Sequence, residues 1–193
     1  MLQRSTRGFL PYQLRSMCSF RDKIVGKESS PPPMADASFI AKSGAGAFAG
    51  IGMLSVIHHL AGSEYTMVLG SFGASAVLLF AAPAAPFSQP RNVIGGHVIS
   101  AFMGVSVHKV FGDGALALPL AASCSVMAMQ ATNCVHPPAG GTALIAVIGS
   151  PMIFSLGYGL LVPTFVGSTL LTGTAVLFNN SLRGKLKYPQ YWW

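Results

Sequence analysis

The sequence predicts an all-α membrane protein. The expected architecture is a polytopic helical bundle of about six passes, built as two inverted three-helix repeats with short or broken helices near His136. Composition is the first reason: 51% of residues are hydrophobic, 9% are charged and mean hydropathy is +0.55. Soluble domains carry about 25% charged residues. Charge placement is the second. Between Ser43 and Leu182 the only Asp, Glu, Lys or Arg residues are Glu64, Arg91, Lys109 and Asp113. The formal charge of +7 therefore sits at the two ends of the chain. The third reason is a series of apolar segments, several close to the about 20 helical residues that cross a bilayer core.

Residues 1–37 differ from the rest. Arg4, Arg7, Arg15 and Arg21 all precede the first acidic residue, Asp22, among several serines and threonines. This is a basic disordered tail or an organelle transit peptide. Ser29-Ser30-Pro31-Pro32-Pro33 closes it as a linker that cannot continue a helix. The membrane domain follows over 38–182, and 183–193 is a basic and aromatic C-terminal tail.

Within the membrane domain, spans are expected at 39–60, 66–84, 93–111, 115–132 and 153–178. The shorter segment GTALIAVIGS, 141–150, crosses only if the chain before it is buried in protein. Counting it gives six passes. Six puts the N-terminal tail, Arg91, Arg183, Lys185 and Lys187 on one side, and Glu64, Lys109 and Asp113 on or near the other. That satisfies the positive-inside rule. Tyr188, Tyr191, Trp192 and Trp193 suit an interfacial aromatic belt. Small residues recur at helical spacing (Gly46 and Gly50; Gly96, Ser100 and Gly104; Gly159, Pro163 and Gly167), which predicts close helix packing. Such faces can also serve self-association into a homo-oligomer. Cys18, Cys124 and Cys134 have no metal or pairing spacing. No cofactor or metal is indicated. No interleaved basic and aromatic surface suggests nucleic acid, so the expected surroundings are membrane lipid.

The segment Gly73-Ala74-Ser75-Ala76-Val77-Leu78 echoes Gly140-Gly141-Thr142-Ala143-Leu144-Ile145 at an offset of 67 residues. Each follows an interrupted start and precedes a proline, Pro83 or Pro151. With six passes the offset maps the second span onto the fifth, so the two halves are inverted relative to each other.

Two polar constellations carry the chemistry. One is Ser88-Gln89-Pro90-Arg91-Asn92 with Gly95, Gly96 and His97. The other is Asn133-Cys134-Val135-His136-Pro137-Pro138 running into Gly140, Gly141 and Thr142. Proline biases the residue before it away from helix, so the chain is extended at His136, and Pro138 can open a helix. The glycines and Thr142 then place amide groups at a helix start, which attracts anions. Gly70-Ser71-Phe72-Gly73 leading into Ser75 is the parallel start. Ser71, Ser75 and Thr142 would add hydroxyls, and His97 and His136 neutral donors or titrating cations.

The blocks GSFGASAVLLFAAP (70–83), QPRNVIGGH (89–97) and HPPAGGTALIAVIG (136–149) resemble, in order, the signature blocks of the HPP family of integral membrane proteins. The resemblance covers roughly residues 39–193. The family is usually described with four spans, whereas charge placement here favours six. Plant and cyanobacterial members are linked to nitrite transport, in plants at the chloroplast envelope. The resemblance therefore implies transport of a small inorganic anion, nitrite first, in a membrane that includes a plastid or mitochondrial envelope among the candidates. The expected anion-binding residues are His136, Pro137, Pro138, Gly140, Gly141, Thr142, Ser71, Gly73, Ser75, Arg91, Asn92 and His97, with no catalytic role. Two alternatives stand beside this. One is a non-transporting membrane scaffold or accessory subunit. The other is an intramembrane serine hydrolase, because Gly73-Ala74-Ser75-Ala76 resembles the Gly-x-Ser-x of rhomboid proteases. A hydrolase needs a base within hydrogen-bond reach of Ser75.

Overall fold

The first helix, α1 (Ala37–Ala61), starts where Asp36 accepts a hydrogen bond from the Phe39 amide at 2.8 Å, and it stops at Gly62, whose φ is +87°. The computed structural model describes residues 33–62, 69–184 and 187–193. Most of the basic tail, Glu64 and Lys185 lie outside these residues. Of the unit Met1–Met34, only Pro33 and Met34 are described, and both are exposed. The unit Ala35–Trp193 carries everything that follows.

Six further helices complete the chain among the described residues: α2 (Gly70–Ala81), α3 (Pro90–Phe111), α4 (Ala117–Ala131), α5 (Pro137–Ile148), α6 (Pro151–Leu156) and α7 (Leu161–Leu182). Short 3-10 turns, Pro86–Ser88 and Gly157–Leu160, lead into α3 and α7. Among the described residues, three stretches are long and apolar enough to cross a membrane: Ala37–Ala61, Pro90–Phe111 and Pro151–Leu182. The last, expected as one span over 153–178, is interrupted at Gly157, whose φ of +49° turns the chain. The span expected over 93–111 starts earlier, because Pro90 occupies the first helical turn, where its missing N–H costs nothing. Arg91 and Asn92 therefore ride on a helix rather than in a loop.

The span expected over 66–84 is helical only over Gly70–Ala81, within the described residues. It ends before Pro83 because Ala82 is pushed out of helical geometry. At 1.5 Å per residue, α2 and α5 are each about 18 Å long, too short to cross alone. Their contacts explain how they sit in a membrane. Ser71 meets Thr142, and four residues further along α2 Ser75 meets His136, which precedes α5. The two helices thus run antiparallel and overlap only near their starts. Together they cover about 27 Å, close to the about 30 Å of a bilayer core. They are half-helices meeting start to start.

The remaining packing follows the same inverted plan. The start of α1 lies against the end of α2, through Ser43 and Phe80, and against the end of α7, through Arg183. Helix α3 runs antiparallel to α4, with Ser100 beside Ser125 and Gly96 beside Met129. It runs parallel to α5, with Gly96 beside His136 and Gly104 beside Ala143 and Ala146. Directions therefore alternate through α1, α2, α3, α4, α5 and α7. The packed pairs are α1–α2, α1–α7, α2–α5, α2–α7, α3–α4, α3–α5, α3–α7 and α4–α5. Exchanging α1 with α4, α2 with α5 and α3 with α7 reproduces this set. That is the relation of two inverted three-helix repeats, with α6 an addition before α7.

The surface is apolar: Phe48, Leu60, Val77, Val110, Leu116 and Leu177 are exposed. Ser75, Ser100, Ser125, Thr142, Thr164, His97, His136 and Asn179 are buried. That inversion suits lipid as solvent. The chain is an all-α membrane protein. Lys42, Arg91 and Arg183 share one end of the bundle, and Lys109 and Asp113 lie at the other.

Candidate functional site

The half-helix starts enclose a cluster of five side chains: Ser71 and Ser75 from α2, His97 from α3, His136 just before α5 and Thr142 within it. Ser71 is 6% exposed and the other four are fully buried. Pro137 and Pro138 hold His136 extended, at φ −137° and ψ 103°, which aims its ring back at α2. Gly96 lets the chain around His136 approach α3, since a Cβ there would lie 2.7 Å from His136 Cβ and 2.9 Å from the Cys134 carbonyl oxygen. His97, next in sequence, faces the same space. Its ring packs edge-on against Phe72, with centroids 4.9 Å apart.

The hydrogen bonds form one continuous chain. The Ser71 and Thr142 hydroxyls are 2.8 Å apart, and Thr142 Oγ1 lies 2.7 Å from His97 Nδ1. His97 Nε2 lies 2.8 Å from Ser75 Oγ, which lies 2.8 Å from His136 Nε2. His136 Nδ1 then lies 2.7 Å from the Phe87 carbonyl oxygen. That oxygen can only accept, so His136 carries its proton on Nδ1 and, when neutral, accepts at Nε2. Ser75 Oγ also lies 3.2 Å from the Ser71 carbonyl oxygen, but the bare His136 Nε2 at 2.8 Å takes its proton, and Ser75 accepts from His97 Nε2–H. His97 Nδ1 then accepts from Thr142, and Thr142 accepts from Ser71. One backbone carbonyl sets the direction of every bond in the neutral chain.

The other expected site residues divide into three groups. Arg91 and Asn92 stand outside the cluster and tie the connection before His136 to α3. Arg91 Nη2 donates to the Thr132 carbonyl at 2.9 Å, and Asn92 Nδ2 to the Val135 carbonyl at 2.8 Å. Pro137 and Pro138 line an apolar groove of about 440 Å³ with Ala74, Val77 and Leu78. Gly141 touches the cluster, where an added Cβ would meet Ser71 Cβ at 3.5 Å, whereas Gly73 and Gly140 face open space.

The comparisons with known proteins decide the family. The profile of the HPP transmembrane region matches residues 32–189. The chain belongs to the HPP family. It is 40% identical over 175 residues to one Dictyostelium discoideum protein described only as a transmembrane protein, covering 88% of this chain and 61% of that one. A second such protein from the same organism is also 40% identical, over 177 residues, covering 89% of this chain and 56% of the relative. The chain thus spans roughly three fifths of the length of the relatives it matches. No solved structure matches it.

Two contributors to this HPP centre escaped the sequence reading. Phe87 acts through its backbone carbonyl, which no side-chain motif reports. The C-terminal segment was expected as an interfacial belt, but Tyr188 is buried, its hydroxyl donating to the Ser88 carbonyl at 2.7 Å. The Gln190 amide donates to Gln89 Oε1 at 2.7 Å. Gln89 in turn donates to the Pro83 and Ala85 carbonyls. The tail thus clamps the turn that presents Phe87. Tyr191, Trp192 and Trp193 are the exposed aromatics there.

Proposed function

We propose that this HPP protein transports a small inorganic anion, nitrite being the first candidate, and holds it where α2 and α5 start. The observation that carries this reading is the meeting of two half-helix starts around buried hydroxyls and imidazoles. Neither start has a side-chain cap on its amides, so each half-helix brings its partial positive end beside the cluster. No Asp or Glu occurs on α2, α3, α5 or α7 to repel an anion. Ser71, Ser75 and Thr142 would exchange their mutual hydrogen bonds for bonds to the anion. The inverted halves would then expose the centre alternately to either side. The test is nitrite uptake into proteoliposomes of the purified full chain. Uptake above protein-free vesicles, reduced by His136→Ala, supports the reading, and uptake equal to protein-free vesicles sinks it. An organelle envelope is the proposed location, read from the basic, acid-poor start of the chain. A fluorescent fusion with and without residues 1–37 tests it.

One observation favours a second reading. Ser75 Oγ lies 2.8 Å from two imidazole nitrogens, and His136 is oriented through its other nitrogen by a carbonyl. A serine hydrolase needs such a pairing. Ser75 is, however, fully buried within a helix, where no substrate carbonyl reaches it without a large opening. Labelling of wild type but not Ser75→Ala by a fluorophosphonate probe would establish hydrolase chemistry.

A further inference from the structure

We infer that the Ser71–Thr142–His97–Ser75–His136 chain is a proton relay through the centre of the molecule, with His97 and His136 the two stations where a proton rests. The inference does not rest on the anion reading. It stands on the unbroken sequence of short hydrogen bonds, the alternation of hydroxyl and imidazole, and the single bond direction that Phe87 imposes. An imidazole can take a proton on one nitrogen and release one from the other. A hydroxyl does the same through its oxygen.

The transfer balances atom by atom. A proton arriving at Ser71 Oγ displaces the Ser71 hydroxyl proton to Thr142, and the Thr142 proton moves to His97 Nδ1. His97 Nε2 gives its proton to Ser75, and the Ser75 proton moves to His136 Nε2. His136 becomes imidazolium, and every bond in the chain now points the other way. Release follows when water or another base replaces the Phe87 carbonyl at Nδ1. Release leaves His97 protonated on Nδ1 and His136 on Nε2, so the first state returns when water exchanges the proton of each ring to its other nitrogen and the hydroxyls rotate. Ser71, where the relay begins, lies at the start of α2, and Phe87, where it ends, lies in the turn beyond the end of α2.

The surroundings leave few competing groups. Helices α2, α5 and α7 carry no Asp, Glu, Lys or Arg. Helix α3 carries Arg91, His108 and Lys109, near its two ends, and Arg91 is bonded to the Thr132 carbonyl. Helix α1 contributes Lys42, His58 and His59, and α4 only Cys124, with Cys134 in the connection that follows.

Two measurements on the full chain in lipid test the relay. The first needs no variant: nitrogen-15 NMR of histidine-labelled protein at neutral pH. His97 protonated on Nε2 together with His136 protonated on Nδ1 supports the relay, and the opposite tautomer at either residue overturns it. The second is proton entry into pyranine-loaded proteoliposomes under a potassium–valinomycin potential, with and without external nitrite. Wild type should acidify the lumen several-fold faster than protein-free vesicles. Ser75→Ala should fall to the protein-free rate and Ser75→Thr should retain most of it. Wild-type entry no faster than protein-free vesicles in both conditions, or Ser75→Ala as fast as wild type, overturns the relay. Proton entry without nitrite uptake keeps the relay and sinks the nitrite reading, and nitrite uptake without proton entry does the reverse.

Discussion

The two half-helices occupy equivalent places but are held in different ways. Helix α2 is anchored by large side chains: Phe72, Leu79 and Phe80 are buried in the main apolar core, and Phe80 fills the space that Gly46 and Gly50 leave on α1. Helix α5 is anchored by small ones, with Ala143 and Ala146 packed against Gly104 of α3 almost backbone to backbone. The polar groups are also divided. The α2 side supplies two serines, and the α5 side supplies a proline-locked histidine and a threonine. An inverted repeat thus keeps its topology while each half specialises in both packing and chemistry.

The sharpest way to break the symmetry is at the tight interface. A side chain at Gly104 would place its Cβ 2.5 Å from the Ala143 carbonyl oxygen and 2.8 Å from Ala146 Cβ. Backbone cannot yield cheaply there. Gly104→Leu should cost at least about 3 kcal/mol, read as loss of monodisperse protein in mild detergent. On the other side, Phe80→Ala leaves a cavity instead of a clash and should cost about 3–5 kcal/mol of stability without disrupting the fold. It should lower the thermal midpoint while leaving a folded, homogeneous protein. Equal behaviour of the two variants would remove the distinction between the halves.

Within the polar centre the expected effects are smaller. Ser75→Ala leaves His97 Nε2–H and His136 Nε2 both buried without a partner, at about 1–3 kcal/mol each. Ser71→Ala removes one bond at the chain's end and should cost about 1 kcal/mol. Chemical denaturation in detergent checks the order, and Ser71→Ala as damaging as Ser75→Ala would displace Ser75 from the middle of the chain. Smallest is Tyr188→Phe, which keeps the buried ring and loses only the bond to the Ser88 carbonyl, at about 1 kcal/mol.

Much of this arrangement is legible in the sequence, for local reasons. Proline chemistry at Pro137 and Pro138 places the helix start and the extended His136, and Pro83 stops α2. The echo between 73–78 and 140–145 marks the two elements that prove to be related by inversion. Charge placement anticipates that Arg91 and Arg183 share an end. What is not legible depends on long-range partners. Of the twelve expected site residues, Ser71, Ser75, His97, His136 and Thr142 converge because three helices and a connection cross, with partners up to 71 residues apart. Arg91 and Asn92 share the same polar constellation in sequence, yet they brace the connection instead. The Phe87 carbonyl and the docking of Tyr188 leave no local signature at all.

The central claim is that α2 and α5 meet start to start at the centre. The geometry offers a direct test, because an ideal Cβ at Gly141 lies 3.5 Å from Ser71 Cβ, within the about 3.5–4.5 Å of a disulfide. In a background with Cys18, Cys124 and Cys134 replaced by alanine, the pair Ser71→Cys and Gly141→Cys should cross-link under mild oxidation in lipid, while Ser71→Cys with Gly149→Cys, at the far end of α5, should not. Cross-linking of the second pair in preference to the first, or of neither, would contradict the account.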